Sequence, residues 1–159
     1  DILESKIGEM LLKEKWTIGT AESCTGGYLS HLISSVSGSS AYYKGSIVSY
    51  ANEIKQHLLK VNYDTLENVG AVSEQTVLQM LDGALQQLNV DVAIAISGIA
   101  GPTGGTEEKP VGTVFIGVGT KDKKVVRHFV FTNNRERNIQ LSAIFGLEML
   151  RKFLLKQSK

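Results

Sequence analysis

The stretch Asp91-Val92-Ala93-Ile94-Ala95-Ile96-Ser97 is a continuous apolar run between polar ends, and it decides the fold class. A run of this length that contains β-branched residues is typical of a strand buried on both faces. Such strands occur mainly in sheets that helices cover on both sides. The stretch therefore predicts a central strand of an α/β domain.

Helical and strand patterns alternate on both sides of this strand. Apolar positions at helical spacing predict helices over residues 2–15, 25–36, 53–59, 74–88 and 134–156, with Ser73 as the N-cap of the fourth. Runs rich in β-branched and aromatic residues predict strands over residues 16–20, 42–50, 111–120 and 125–132. Helices and strands alternate in the first part of the chain, and two strands form a hairpin near its end. This order predicts a three-layer α/β/α domain with a mixed, mostly parallel sheet.

Composition and charge exclude several classes of function. The chain has 159 residues, the size of a single domain, and its formal net charge of +1 provides no general field for binding nucleic acid. No apolar stretch approaches the roughly 18 residues that span a bilayer, and the first residues lack the apolar core of a signal peptide. We therefore expect no nucleic-acid or membrane partner and a cytoplasmic location. Cys24 is the only cysteine, which excludes an internal disulfide.

The segment Ala21-Glu22-Ser23-Cys24-Thr25-Gly26-Gly27 places a serine where a strand pattern gives way to a helix pattern. In open α/β sheets ligands bind at this edge, and the N–H groups of a helix N-terminus favour an oxyanion. Gly26 and Gly27 let a ligand approach the backbone. Ser23 is therefore a candidate nucleophile, although a serine that only caps its helix fits the same pattern. Cys24 is either a rival nucleophile or a small buried apolar residue.

A second segment, Ser49-Tyr50-Ala51-Asn52-Glu53-Ile54-Lys55, supplies candidate bases. No histidine lies near either segment in a Ser-His-Asp pattern, so a lysine or a tyrosine is the simplest alternative. If Asn52 caps the following helix, Lys55 lies in the first turn, where the positive helix end favours the neutral amine. Tyr50 is a candidate for relaying a proton or orienting Lys55. The alternatives are a solvent-exposed lysine and a half-buried strand tyrosine.

The loop from Ser97 to Thr106 (SGIAGPTGGT) is rich in glycine. It lacks the Gly-Lys-Ser/Thr end of a Walker loop and leads into a strand, and it is not a dinucleotide fingerprint. Its backbone N–H groups can still form an anion-binding nest, to which Thr103 and Thr106 would add hydroxyl donors. A turn that needs glycine for positive φ explains the composition equally well.

The remaining polar residues predict no metal site. His31, His57 and His128 are dispersed without metal-ligand spacing. Arg135 and Arg137 lie near the start of the last predicted helix, where they are either contacts for an acidic ligand or solvated charges.

Four segments, in order, resemble the CinA C-terminal domain family, which includes nicotinamide mononucleotide deamidases of the PncC type. They are AESCTGG at 21–27, GSIVSYANEIK at 45–55, GAVSEQT at 70–76 and SGIAGPTGGTEEKPVGTVFIG at 97–117. The resemblance covers nearly the whole chain. Family members occur alone or behind a larger N-terminal domain that resembles molybdopterin-binding proteins. The first residue, Asp1, is compatible with a chain that forms the C-terminal part of a longer protein.

The resemblance implies roles for individual residues. Ser23 would be the nucleophile, assisted by Tyr50 and Lys55. The residues implied in substrate binding are Thr25, Gly26 and Gly27, whose N–H groups would stabilise the oxyanion, and Gly101, Thr103, Gly104, Gly105 and Arg135. Many relatives carry a further arginine one turn into the last helix, where this chain has Ile139. Phosphate recognition therefore departs from the family pattern at this position.

The reaction that the resemblance implies is hydrolysis of the carboxamide of nicotinamide mononucleotide, without a metal or an organic cofactor. The expected partner is a small-molecule nucleotide, and we expect a homo-oligomer. The alternative is a non-catalytic, nucleotide-binding regulatory module of a competence- or damage-inducible protein.

Overall fold

The computed structural model describes residues 2–157 and contains a five-stranded sheet with helices on both faces. The helices are α1 (Ile2–Glu14), α2 (Tyr28–Ser34), α3 (Asn52–Leu59), α4 (Tyr63–Asn68), α5 (Glu74–Gln87) and α6 (Arg135–Gln157). The strands are β1 (Ile18–Glu22), β2 (Tyr43–Val48), β3 (Val92–Gly98), β4 (Thr113–Gly119) and β5 (Lys124–Val130). A short 3₁₀ turn, Ser39–Ala41, precedes β2.

The strand order is β2-β1-β3-β4-β5. Strand β1 pairs in parallel with β2 and β3, whereas the β3–β4 and β4–β5 pairs are antiparallel. Strand β5 therefore runs in the same direction as β1, β2 and β3, and β4 opposes them. Helices α1, α2 and α6 pack on one face of the sheet, and α5, with α3 and α4 against it, covers the other. This arrangement confirms the predicted three-layer α/β/α fold with a mixed sheet.

Strand β3 lies at the centre of the sheet and contributes to the core on both faces. Its Val92, Ile94 and Ile96 pack in the cluster beneath α1, α2 and α6. Its alternate residues, Ala93 and Ala95, pack in the cluster beneath α5. Because side chains alternate between the faces of a strand, the unbroken apolar sequence corresponds to two different buried surfaces.

Two helix predictions differ from the structure. Helix α2 begins at Tyr28 instead of residue 25, because Gly26 and Gly27 adopt φ values of 58° and 105°, which a regular right-handed helix does not allow. Helix α4 was not predicted, since its six residues are too few to give a periodic signal. Ser73 is the N-cap of α5, as predicted, and its hydroxyl accepts a hydrogen bond from the N–H of Thr76 at 3.2 Å.

The topology brings three loops to one edge of the sheet. Because β1, β2 and β3 are parallel neighbours, their carboxyl ends meet there, and this is where ligands bind in open α/β sheets. The loops that follow these strands begin at residues 23, 49 and 99. Across residues 2–157, no helix combines the length and the apolar character needed to cross a bilayer.

Candidate active site

Ser23 directly follows β1 and is fixed through its backbone. Its N–H donates to the carbonyl of Ile96 at 3.1 Å, and its carbonyl accepts from the N–H of Gly26 at 3.1 Å. Gly27 is the N-cap of α2 and has no side chain, and N–H groups at this helix end donate to the carboxylate of Glu22 and not to Ser23. Ser23 is therefore not the capping serine that the sequence left open, and its side chain is free to make a different contact.

That contact is with Lys55, whose Nζ lies 3.0 Å from the Oγ of Ser23. Lys55 is 1% exposed, so the solvated alternative is wrong. The N-cap of α3 is Ala51 instead of Asn52, which places Lys55 at the fourth position of the helix, one residue later than predicted. Its backbone N–H donates to the carbonyl of Ala51 at 3.2 Å, and the N–H of Ile54 donates to the same carbonyl at 3.1 Å.

Two backbone carbonyls complete the surroundings of the Lys55 amine. Nζ lies 2.8 Å from the carbonyl oxygen of Ser49 and 3.1 Å from that of Tyr50. A neutral amine has two N–H donors and one lone pair. If its N–H groups donate to the two carbonyls, the lone pair remains for the hydroxyl proton of Ser23. The geometry therefore suits a base that accepts the proton of the nucleophile.

Burial determines the protonation of this amine. It lowers the pKa of Lys55 to about 8, since removal from water disfavours the charged form. The direction agrees with the sequence-based expectation. At pH values near 8 a large fraction of Lys55 is therefore neutral and able to act as a base.

Cys24 is a poor nucleophile in this setting. Its side chain is buried, and burial raises the pKa of the thiol to about 12. The thiolate is the reactive form of cysteine, and it is scarce at neutral pH when the pKa is this high. Cys24 thus corresponds to the second alternative of the sequence analysis, a small buried residue beside the candidate nucleophile.

The side chains of Tyr50 and Arg135 contact each other, and both line the same cavity as the serine–lysine pair. The side chain of Tyr50 is 60% exposed, and its hydroxyl accepts a hydrogen bond from the guanidinium of Arg135 at 2.9 Å. Arg135 also donates to the carbonyl of Gly101 at 2.7 Å. Tyr50 contacts the amine of Lys55 through its backbone carbonyl, and its hydroxyl faces Arg135.

The predicted oxyanion donors are only partly available. The N–H of Gly26 donates to Ser23, and the N–H of Gly27 donates to the carboxylate of Glu22 at 3.1 Å. The expectation that these two N–H groups stabilise an oxyanion is therefore wrong. Within residues 2–157, the N–H groups of Cys24 and Thr25 donate to no other residue.

The glycine-rich loop is divided between the site and the surface. Gly101 is buried and is joined to Arg135. Thr103, Gly104 and Gly105 are exposed and lie outside the wall of the cavity described below. Ile139 is partly buried and packs against the core on the α6 side of the sheet.

Ser23 and Lys55 open into a cavity of about 220 Å³. Tyr50 and Arg135 also line it. The lining further includes four small or apolar residues, Ala71, Val72, Gly98 and Ala100. Among the described residues, no group of three His, Cys, Asp or Glu side chains is arranged to hold a metal ion.

Three residues that the sequence analysis did not assign contribute to this site. Glu22 is fully buried beside Ser23 and binds the start of α2. Ser49 is also buried, and its carbonyl holds the amine of Lys55. Ser97 donates to the carbonyl of Ala71 at 2.8 Å in the cavity wall. The positive end of a helix favours an acidic residue just before it, so this position of Glu22 was the one sequence signal that could have drawn attention to it.

The sequence comparison identifies the family to which this site belongs. The family model described as the CinA C-terminal domain matches residues 1–154. The chain belongs to the CinA C-terminal domain family. A CinA-like protein of Cytophaga hutchinsonii is 47% identical over 97% of this chain, and one of Thermotoga maritima is 44% identical over 96%. The chain spans about 37% of the length of these curated CinA-like relatives.

Solved CinA structures have the same fold. A competence-damaged protein (CinA) superfamily protein from Klebsiella pneumoniae gives a TM-score of 0.93 at 33% identity, covering 97% of this chain and 96% of that one. A competence/damage-inducible protein from Agrobacterium tumefaciens gives a TM-score of 0.92 at 36% identity, covering 94% and 92%. The CinA fold thus extends over nearly all of the chain described here.

Proposed function

We propose that this chain is an amidohydrolase that converts nicotinamide mononucleotide to nicotinic acid mononucleotide and ammonia. The observation that carries the proposal is the 3.0 Å contact between the Oγ of Ser23 and the amine of Lys55. This amine is buried, and its burial lowers the pKa of Lys55 to about 8. A serine beside a neutral lysine has both the nucleophile and the base that acyl transfer requires.

The first half of the reaction forms an acyl-enzyme. The amine of Lys55 takes the hydroxyl proton of Ser23 while Oγ attacks the carboxamide carbon. The N–H groups of Cys24 and Thr25, which donate to no other described residue, are the proposed donors to the resulting oxyanion. Lys55 then gives its proton to the departing nitrogen, and ammonia leaves as the C–N bond breaks.

The second half regenerates the serine. Lys55, neutral again, removes a proton from a water molecule that attacks the acyl carbon. Collapse of the tetrahedral intermediate breaks the ester bond, and the proton returns from Lys55 to the Oγ of Ser23. The product leaves as a carboxylic acid, which loses its proton to water at neutral pH and becomes a carboxylate. These steps transfer only protons and an acyl group, so the proposed reaction requires no metal or organic cofactor.

The shape and charge of the site suit a pyridine carboxamide that is attached to a phosphorylated sugar. The small, largely apolar wall of Ala71, Val72 and Ala100 complements a flat aromatic ring next to Ser23. Arg135 supplies a positive charge at the cavity, which complements a phosphate. We propose that the exposed loop of Thr103, Gly104 and Gly105 contacts the phosphoribosyl part of the substrate outside the cavity.

The test is to mix the purified chain with nicotinamide mononucleotide and measure ammonia, with and without a chelator. Release of ammonia that is undiminished by the chelator and absent in a Ser23→Ala variant supports the proposal. A folded wild-type sample that binds the nucleotide but releases no ammonia contradicts it.

A further inference from the structure

Glu22, immediately before Ser23, is a fully buried carboxylate surrounded by hydrogen-bond donors. Its two oxygens accept bonds from the hydroxyls of Thr20, Thr25 and Ser30 and from the backbone N–H groups of Gly27, Leu29 and Ser30. None of these partners carries a charge. A buried carboxylate is costly unless its acceptor positions are filled, and here they are filled by neutral donors alone.

The carboxylate holds the turn that carries the nucleophile. The N-cap of α2, Gly27, has no side chain. The carboxylate of Glu22, five residues earlier, accepts the hydrogen bond from the N–H of Gly27 instead. The chain between them must therefore fold back on itself, and the N–H of Gly26 closes the turn onto the carbonyl of Ser23. The hydroxyl of Thr25 donates to the same carboxylate at 2.7 Å. The turn that follows Ser23 is thus held by bonds that end on Glu22.

The backbone carbonyl of the same residue holds the base. It accepts a bond from the N–H of Ser49 at 2.7 Å and one from the hydroxyl of Ser49 at 3.2 Å. The carbonyl of Ser49 in turn accepts from the amine of Lys55 at 2.8 Å. Glu22 is therefore connected to both Ser23 and Lys55. Its side chain binds the turn that follows Ser23, and its backbone carbonyl binds Ser49, which in turn binds the amine of Lys55.

We infer that Glu22 is a positioning residue of the Ser23–Lys55 pair, whose buried carboxylate sets the direction of the Oγ of Ser23 toward the amine. The inference rests on the proposed function, because it gives Ser23 and Lys55 the roles of nucleophile and base. It assigns Glu22 no contact with the substrate and no proton transfer. Its effect is geometric, and a misplacement of about 1 Å can lower a rate by about a hundredfold.

The decisive variant is Glu22→Gln, which keeps the shape but replaces one acceptor oxygen with an NH₂ group. This group cannot accept, so it opposes N–H and hydroxyl donors that now face it. We expect kcat for nicotinamide mononucleotide to fall about a hundredfold, whereas KM stays within about threefold of the wild type. The matched control is Glu53→Gln, the same exchange at an exposed residue of α3, which should change neither constant.

A second readout does not depend on the identity of the substrate. Phenylmethylsulfonyl fluoride sulfonylates an activated serine, and intact mass spectrometry gives the rate of labelling, with Ser23→Ala as the blank. We expect Glu22→Gln to be labelled about a hundredfold more slowly than the wild type. Ser30→Ala, which removes one hydroxyl donor but keeps the carboxylate, should slow labelling in the same direction by a smaller factor. It also tests the inference if Glu22→Gln does not fold.

The outcomes separate this inference from the proposed function. A wild type that is labelled at Ser23 but releases no ammonia contradicts the proposed substrate, and the labelling rates still decide the role of Glu22. Absence of labelling of the wild type overturns the inference, since Ser23 is then not activated. A folded Glu22→Gln or Ser30→Ala variant that reacts at the wild-type rate shows that the carboxylate only stabilises the fold. A rise in KM with kcat unchanged would also overturn the positioning role.

Discussion

The amine of Lys55 lies 3.0 Å from the hydroxyl oxygen of Ser23, although 32 residues of sequence separate them. The contact exists because β1 and β2 are parallel neighbours whose carboxyl ends lie together. Ser23 follows β1, and Lys55 reaches back from α3 to the carbonyls of Ser49 and Tyr50. The sheet topology, and not any local motif, therefore brings the two reactive groups together.

Replacement of Ser23 with alanine tests the nucleophile directly. We expect the rate of ammonia release to fall by at least about a thousandfold, as for the loss of a covalent nucleophile. The fold should persist, because the backbone bonds of Ser23 to Ile96 and Gly26 do not involve its side chain. Circular dichroism would check the fold, and an ammonia assay would measure the rate.

Cys24→Ala is the matched control at the next position. Burial raises the pKa of this thiol to about 12, so at neutral pH it is protonated and contributes no thiolate. We expect the variant to keep most of the wild-type rate. If Cys24→Ala loses the activity and Ser23→Ala keeps it, the nucleophile has been assigned to the wrong residue.

The fold was predictable because its signals are local. The apolar run at residues 91–97 has the composition of a strand buried on both faces, and it corresponds to β3 (Val92–Gly98) in the middle of the sheet. The start of α2 was placed three residues too early, because the positive φ values of Gly26 and Gly27 delay the helix until Tyr28. Spacing alone does not report backbone conformation.

The site was only partly predictable, because it depends on which hydrogen-bond donors are already used. Ser23 and Lys55 were identified from residue type and position, and the structure brings them together. The N–H groups of Gly26 and Gly27 were expected to bind an oxyanion, but Ser23 and Glu22 already accept from them. Which acceptor binds a given N–H group depends on the folded structure. For this reason the sequence did not reveal the part played by Glu22.

Tyr50→Phe separates a role in substrate binding from a role in proton transfer. The hydroxyl of Tyr50 is bonded to Arg135, and the contact of Tyr50 with Lys55 is made by its backbone carbonyl, which the variant keeps. We expect KM for the nucleotide to rise by about tenfold or less, the effect of one lost hydrogen bond, with the pH midpoint of kcat unchanged. Steady-state kinetics at several pH values would measure both. A shifted midpoint would instead assign the hydroxyl to the proton relay.

Gly83→Ala tests the packing that supports α3 and hence Lys55. An alanine in a helix usually stabilises it by about 1 kcal/mol relative to glycine. Here the added Cβ would lie 2.1 Å from the carbonyl oxygen of Leu59, at the end of α3, and overpacking of this kind costs about 1–3 kcal/mol. We expect a net loss of stability in urea denaturation, together with reduced activity. Gln87→Ala, at an exposed position of the same helix, is the control and should leave both unchanged.

The pH dependence of the rate tests the base. Burial lowers the pKa of Lys55 to about 8, below its ordinary value, so the protonated amine predominates at lower pH and cannot accept the proton of Ser23. We therefore expect kcat to rise with pH through about 8 and to level off above it. Lys55→Met should abolish this rise of kcat with pH together with most of the rate. Lys55→Arg should lower kcat as much, since a guanidinium stays protonated. Differential scanning fluorimetry would confirm that both variants are folded. An arginine variant with near wild-type turnover would mean that Lys55 supplies only a positive charge and that another group is the base.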